Sequence, residues 1–310
     1  AMTARNSPIL SMVVCFYMTV SVGTTLMNKM SFSGRKFPFP FFVTCFQMAV
    51  ALFWLYALTL LQRHGPRSLN VLLNLEDIPK LEWKVKNVLS AAGVAAAFTA
   101  MLASGNLCLM FVQVSFYQAA KSQHILCILL LSYFLRKEVQ PWPVVVSCIG
   151  VTVGFVINAV AEADIVITKL GEDLTTLIYG CLAGFVSSFF VALYPMLLHS
   201  SILKGKNNWQ ISINVNAMSL AWYMPLILYE ILVGGLLSSP FLLDIEFWLF
   251  NFATASVGFV LNVAAMLQVK FTSPLTHMVV GSVKGAVTSV IGVLFYGNRM
   301  DGMSCIGLSV

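Results

Sequence analysis

Charge is scarce in this chain, and acidic charge is scarcest. Only 10% of its 310 residues are Asp, Glu, Lys or Arg, twelve of them acidic, while 59% are hydrophobic. Mean hydropathy is +0.87. Length alone would allow two soluble domains, but this balance describes an integral membrane protein with room for about ten spans of roughly 20 residues. Glu230 is the one acid that falls within an apolar run. It either pairs with a lysine or sits at the luminal interface. Without intramembrane carboxylate pairs, a cation pump or drug/proton antiporter has little to work with. An intramembrane hydrolase would likewise lack its paired carboxylates or metal ligands. Glu162-Ala-Asp164 is a faint echo of a glycosyltransferase metal motif and reads as solvated loop charge.

Other absences narrow the class further. The seven cysteines (Cys15, Cys45, Cys108, Cys127, Cys148, Cys181 and Cys305) stand singly in apolar runs, with no CxxC and no metal spacing. Buried free thiols are expected, with no metal site, no cofactor and no catalytic residues. There is no Asn-x-Ser/Thr acceptor, and the first apolar run reads as a span rather than a cleavable signal. The net charge of +6 does not point to nucleic acid, because the basic residues sort into loops and spans.

Spans are expected at roughly 9–30, 38–61, 88–110, 114–135, 142–161, 174–197, 209–235, 247–269 and 274–296. A tenth begins near 302 and has too few residues before Val310 to cross about 30 Å of hydrocarbon. The fold class is therefore all-α: ten transmembrane helices, the tenth incomplete. With a cytosolic N-terminus, that side carries Arg5, Arg63, Arg67, Lys80, Lys84, Lys86, Arg136, Lys137, Lys204, Lys206 and Lys270. The other side carries only Arg35, Lys36, Lys169 and Arg299. The excess supports both termini in the cytosol.

The chain also carries an internal repeat. LCLMFVQVSFYQAAKS joins spans three and four almost without a loop, and AAMLQVKFTSPLTHMVVGSVKG joins spans eight and nine likewise. In each case an internal lysine follows, then a basic residue (Lys137, Arg299) at the far end. Odd span counts would insert the halves, 1–161 and 162–310, in opposite senses. Inverted repeats with a site at their interface are a transporter signature.

Three lysines remain inside the spans: Lys29, Lys121 and Lys284. A lysine at the centre of a membrane helix costs about 2.5–3.5 kcal/mol on insertion scales, so it normally faces water or an anion. The alternative is snorkelling to an interface, which suits Lys29 and Lys121 better than Lys284. His277 and Gly281 precede Lys284 by seven and three residues and share its helical face. Tyr117 and His124 flank Lys121 at helical spacing. Two lysines facing a cavity with no acid nearby would bind two negative charges. The histidines suit hydrogen bonding to phosphate or hydroxyl better than proton shuttling. In span seven, Asn214 and Asn216 either read a purine edge or glue helices together.

These residues carry a resemblance across nearly the whole chain. MNK at 27–29, FPFPFFVTCFQ at 37–47, SGNLCLMFVQVSFYQAAKS at 104–122, LLLSYFLRKE at 129–138 and VKFTSPLTHMVVGSVKG at 269–285 resemble the nucleotide-sugar/triose-phosphate translocator family of the drug/metabolite transporter superfamily. Within it the chain looks most like the Golgi GDP-fucose transporters. The resemblance implies two inverted five-helix halves and exchange of a nucleotide sugar, GDP-fucose first, for GMP. It implies a multi-pass protein of the Golgi bilayer (the alternatives being the ER or a plastid) and leaves a homodimer open. Lys121 and Lys284 would hold the diphosphate with Lys29 in support, and Asn214 and Asn216 would read the base. Tyr117, His124, Thr276 and His277 would contact sugar or phosphate, and Gly281 would allow close helix approach.

The alternatives are a GDP-mannose or UDP-sugar antiporter, a phosphate-coupled exchanger of triose phosphate or phosphoenolpyruvate, and a non-transporting membrane chaperone or scaffold. Three departures stand out. Ile211-Ser212-Ile213-Asn214 stands where GDP-sugar transporters often show Phe-Tyr-Asn-Asn, and the Gly-Ala-Leu-Asn-Lys signature of GDP-mannose transporters is absent. Gly285 stands where triose-phosphate translocators place an arginine after the lysine, so a bidentate phosphate clamp is missing.

Overall fold

The computed structural model describes residues 7–34, 37–64, 85–137, 139, 141–164, 174–202, 208–271, 280–281, 283–285, 287–288, 290–291 and 294. Among these the chain is helical, with no strand. In chain order the helices are α1 (Ser7–Lys29), α2 (Pro40–His64), α3 (Val85–Leu89), α4 (Ala92–Phe111), α5 (Val114–Ser122), α6 (His124–Arg136), α7 (Trp142–Asp164), α8 (Leu174–Ile202), α9 (Asn208–Leu232) and α10 (Ile245–Phe271). The described positions from 280 to 294 are helical too.

Six segments of the described residues are long and apolar enough to cross a membrane: Ser11–Phe32, Pro40–His64, Ala92–Phe111, Thr175–Leu198, Trp209–Leu232 and Ile245–Ala265. They correspond to six of the expected spans. Large apolar side chains such as Phe53, Phe134, Leu182 and Leu249 are exposed. Outward-facing apolar surface of this kind belongs against lipid. This is an all-helical, multi-pass membrane protein.

The expected fourth span, 114–135, is not one helix. It breaks at Gln123 into α5 and α6, with no proline or glycine between Val114 and Arg136. A break inside an apolar layer frees backbone carbonyls that lipid cannot satisfy. Three side chains satisfy them here. Ser122 Oγ donates to the Ala119 carbonyl (2.6 Å), Ser188 Oγ to Ala120 (2.7 Å) and His124 Nδ1–H to Lys121 (2.8 Å). The Gln123 amide side chain donates across to Val151 of α7 (3.3 Å).

The chain divides into two compact units that interleave along the sequence. The first takes Ala1–Pro38, Ser104–Ala192 and Val260–Val310; the second takes Phe39–Ala103 and Leu193–Phe259. In the first, α8 packs through small residues. A Cβ at Gly184 would lie 2.7 Å from Ala120 Cβ and 3.1 Å from Cys108 Sγ, and one at Gly180 would overlap Val112. With Ser188 a further turn on, this is a small-xxx-small stripe that lets backbones approach closely.

The second unit is built around α2 and α9. Pro40 opens α2, where its missing N–H costs nothing. The next two amides, of Phe41 and Phe42, each donate to one oxygen of Glu230 (2.9 and 2.8 Å). The Val43 amide donates to the Phe39 carbonyl (3.3 Å). All the first-turn donors are thereby accounted for, and Glu230, buried at 4% exposure, caps a helix N-terminus and pairs with no lysine among the described residues. Trp248 adds edge-on contacts to Phe42 and Phe46, and Trp54 Nε1 donates to Ser256 Oγ (2.9 Å).

Candidate functional site

Lys29, Tyr117, Lys121, His124, Gly281 and Lys284 all belong to the first unit. Lys121 sits in the last turn of α5, one turn beyond Tyr117, and its Nζ donates to the Tyr117 hydroxyl (3.3 Å). The same ammonium lies 5.4 Å from the centroid of that ring. Lys284 reaches α1: its Nζ donates to Ser21 Oγ (3.0 Å) and lies 5.7 Å from the centroid of Tyr17. Both are cation–π contacts that soften a desolvated positive charge without neutralising it.

The two ammonium groups are close enough to act on each other electrostatically, and both act on His124. Lys121 also acts on Tyr17. Among the described residues no carboxylate pairs with Lys121 or Lys284. The site is therefore a cationic cluster whose partners are hydroxyls and aromatic faces. Like charges gathered in a low-dielectric setting repel, and a bound anion relieves that repulsion.

His124 contributes a fixed orientation. Because a carbonyl only accepts, the 2.8 Å contact to Lys121 requires the proton on Nδ1. In the neutral ring this leaves Nε2 as an acceptor, suited to a ligand hydroxyl. The helix break puts His124 at the head of α6 rather than on one continuous face with Lys121, as its spacing predicts.

Lys29 is placed differently. It is buried at 8% exposure, and its Nζ donates to the carbonyls of Leu109 (2.8 Å) and Val112 (2.6 Å). These lie at the C-terminal end of α4, where unpaired carbonyls collect partial negative charge.

Asn214 and Asn216 lie in the second unit and are buried. Two residues apart on α9, they point about 200° from each other around the helix. Asn214 Oδ1 accepts from Gln210 (3.1 Å), while Asn216 Nδ2 donates to the Ser212 carbonyl (2.8 Å). Each amide is held by its own helix. Thr276 and His277 lie outside the described residues. Among the described residues, a Cβ at Gly281 would meet no atom within 4 Å; one at Gly285 would lie 3.7 Å from Gln118 Oε1.

Sequence reading missed Tyr17 and Ser21. Their signal was a tyrosine and a serine four residues apart on one face of α1, and Tyr17 hydrogen-bonds Ser21 along that face.

An all-helical, multi-pass membrane protein agrees with comparison to known families. Residues 7–310 match the model of the triose-phosphate transporter family. The chain belongs to that family. It is thus a transporter by descent rather than an enzyme. It is 30% identical to GDP-fucose transporter 1 of Dictyostelium discoideum over 96% of this chain and 76% of that protein. It is 27% identical to GDP-fucose transporter 1 of Mus musculus over 93% of this chain and 76% of that one. A UDP-uronic acid transporter of Arabidopsis thaliana is 24% identical over 99% of this chain and 93% of its own length.

Proposed function

We propose that this transporter is a Golgi nucleotide-sugar antiporter that brings GDP-fucose into the lumen in exchange for GMP by alternating access. The observation that carries the reading is the Lys121–Lys284 pair, two ammonium groups held by hydroxyls with no carboxylate beside them among the described residues. GDP-fucose and GMP each carry about two negative charges near neutral pH, which match two lysines. In this reading both lysines hold phosphate oxygens, with Tyr117 and His124 at phosphate or sugar hydroxyls. Thr276 and His277 belong to the same ligand shell. Either ligand neutralises the cluster and lets the protein reorient, whereas the uncompensated charges hold it back, giving obligatory exchange. Two inverted five-helix halves, 1–161 and 162–310, supply the alternating movement. The names of the Dictyostelium and mouse relatives support the substrate, and that of the Drosophila relative supports substrate and Golgi compartment.

The test is uptake into proteoliposomes preloaded with GMP, UMP or inorganic phosphate, offered labelled GDP-fucose, GDP-mannose, a UDP-sugar or triose phosphate. GDP-fucose uptake that requires internal GMP is the expected result. Uptake independent of internal GMP sinks the coupling. A second reading, phosphate-coupled exchange of a small sugar phosphate, draws on the family and on 24% identity to a probable sugar phosphate/phosphate translocator of Arabidopsis thaliana. It predicts uptake only against phosphate.

A further inference from the structure

The ends of α1 and α4 meet through one side chain. The Lys29 ammonium spans the Leu109 and Val112 carbonyls at 2.8 and 2.6 Å, at the C-terminus of a 20-residue apolar helix. Carbonyls there have no intrahelical N–H to accept from, and lipid offers none. Val112 is the residue before Gln113, and the Gln113 carbonyl accepts the Tyr117 amide (2.9 Å) in the first turn of α5. Lys121 follows one turn later. The turn that Lys29 holds is thus the pivot from which Tyr117 and Lys121 are set.

Two further contacts show how tightly that pivot is packed. The Val112 amide donates back to Cys108 (3.0 Å), and Val112 lies where any side chain at Gly180 would fall. A shift at Val112 therefore moves α5 rather than being absorbed locally.

We propose that Lys29 is a positioning residue rather than a ligand group. It pins the Leu109–Gln113 turn and acts on the anion through Lys121. The part concerning the anion rests on the exchange reading above.

Two arms test this with purified full-length protein carrying Lys29→Met, which removes the donors, or Lys29→Arg, which keeps them. The first arm needs no ligand. Amide exchange across 113–121 is expected to rise on the order of tenfold in Lys29→Met, as for a turn that has lost its tie, and to return toward wild type in Lys29→Arg. Unchanged exchange in Lys29→Met overturns the proposal.

The second arm is a double-mutant cycle read as GMP affinity. Lys29→Met is expected to weaken GMP on the order of tenfold alone and to add nothing in a Lys121→Met background. An equal loss in both backgrounds makes Lys29 a direct phosphate ligand and overturns the proposal. No loss in either makes it purely structural and does the same. If wild type fails to bind GMP, the exchange reading fails, while the first arm still judges Lys29. If Lys29→Met does not fold, Lys29→Arg decides: a folded variant with wild-type exchange across 113–121 and GMP affinity within about threefold is expected. Lost protection with the fold intact overturns the idea.

Discussion

Both units bury charge in apolar surroundings, and they deal with it in different ways. In the second unit Glu230 meets two backbone amides, one on each carboxylate oxygen, at the start of α2. In the first unit Lys29 meets two backbone carbonyls at the end of α4. Each of these charges is answered by the opposite pole of a helix. Among the described residues, Lys121 and Lys284, also in the first unit, are answered only by hydroxyls and rings. A buried charge with fixed backbone partners is architecture. A half-buried charge whose partners are exchangeable hydroxyls is held for something that arrives.

The contrast predicts opposite signs for superficially similar substitutions. Lys284→Ala is expected to abolish exchange, a fall of about 100-fold or more, because a ligand phosphate then lacks one of its two cations. The same change removes one member of a repelling pair, so thermal stability of the ligand-free protein stays level or rises. Normal transport, or a clear drop in midpoint temperature, would break the distinction. Glu230→Gln should do the reverse. One carboxylate oxygen becomes an NH2 facing a backbone amide, leaving a buried donor unpaired at a cost of about 2–4 kcal/mol. Unfolding of detergent-solubilised protein measures it, and the apparent ligand affinity of the protein still folded should be unchanged.

How far these roles were legible in the sequence depends on whether they are local. Apolar run length announces a span, so seven expected spans appear as continuous helices, six of them long and apolar enough to cross a membrane. Lys121 and Lys284 stood out because a lysine in hydrocarbon needs a reason. The caps were not legible, since Glu230 and Phe41 are 189 positions apart and Lys29 and Leu109 are 80 apart. Only tertiary packing pairs them. The break at Gln123 escaped because neither proline nor glycine marks it. Its trace is Lys121-Ser122-Gln123-His124, four consecutive polar residues in an apolar run. The spacing of Asn214 and Asn216 was legible too, because residues two apart on a helix do not share a face.

Packing sharpens the comparison at smaller amplitude. Gly184→Ala places a methyl 2.7 Å from Ala120 Cβ, beside the carbonyl that Ser188 holds at the helix break. Overpacking of this kind costs about 1–3 kcal/mol. Because the displaced element is α5, transport is expected to fall by more than stability alone explains. Gly258, where an added Cβ would meet nothing within 4 Å among the described residues, is the control and should tolerate alanine.

The smallest effect is expected where the second unit leaves polar atoms unanswered. Among the described residues, Thr99 Oγ1, Asn216 Oδ1 and Ser219 Oγ are buried without a hydrogen-bond partner, and all three belong to that unit. Asn216, Ser219 and Tyr223 fall on one stripe of α9, and the Tyr223 hydroxyl donates to the Thr99 carbonyl (3.3 Å). An orphaned hydroxyl has already lost its hydration and receives nothing in return, so removing it recovers that cost. Ser219→Ala is therefore expected to leave stability unchanged or raise it by up to about 1 kcal/mol, with exchange unaffected. A loss of 1 kcal/mol or more on unfolding would mean that the Ser219 hydroxyl does make a favourable contact. The second unit would then hold a satisfied polar network, and its difference from the first would narrow to the lysine pair.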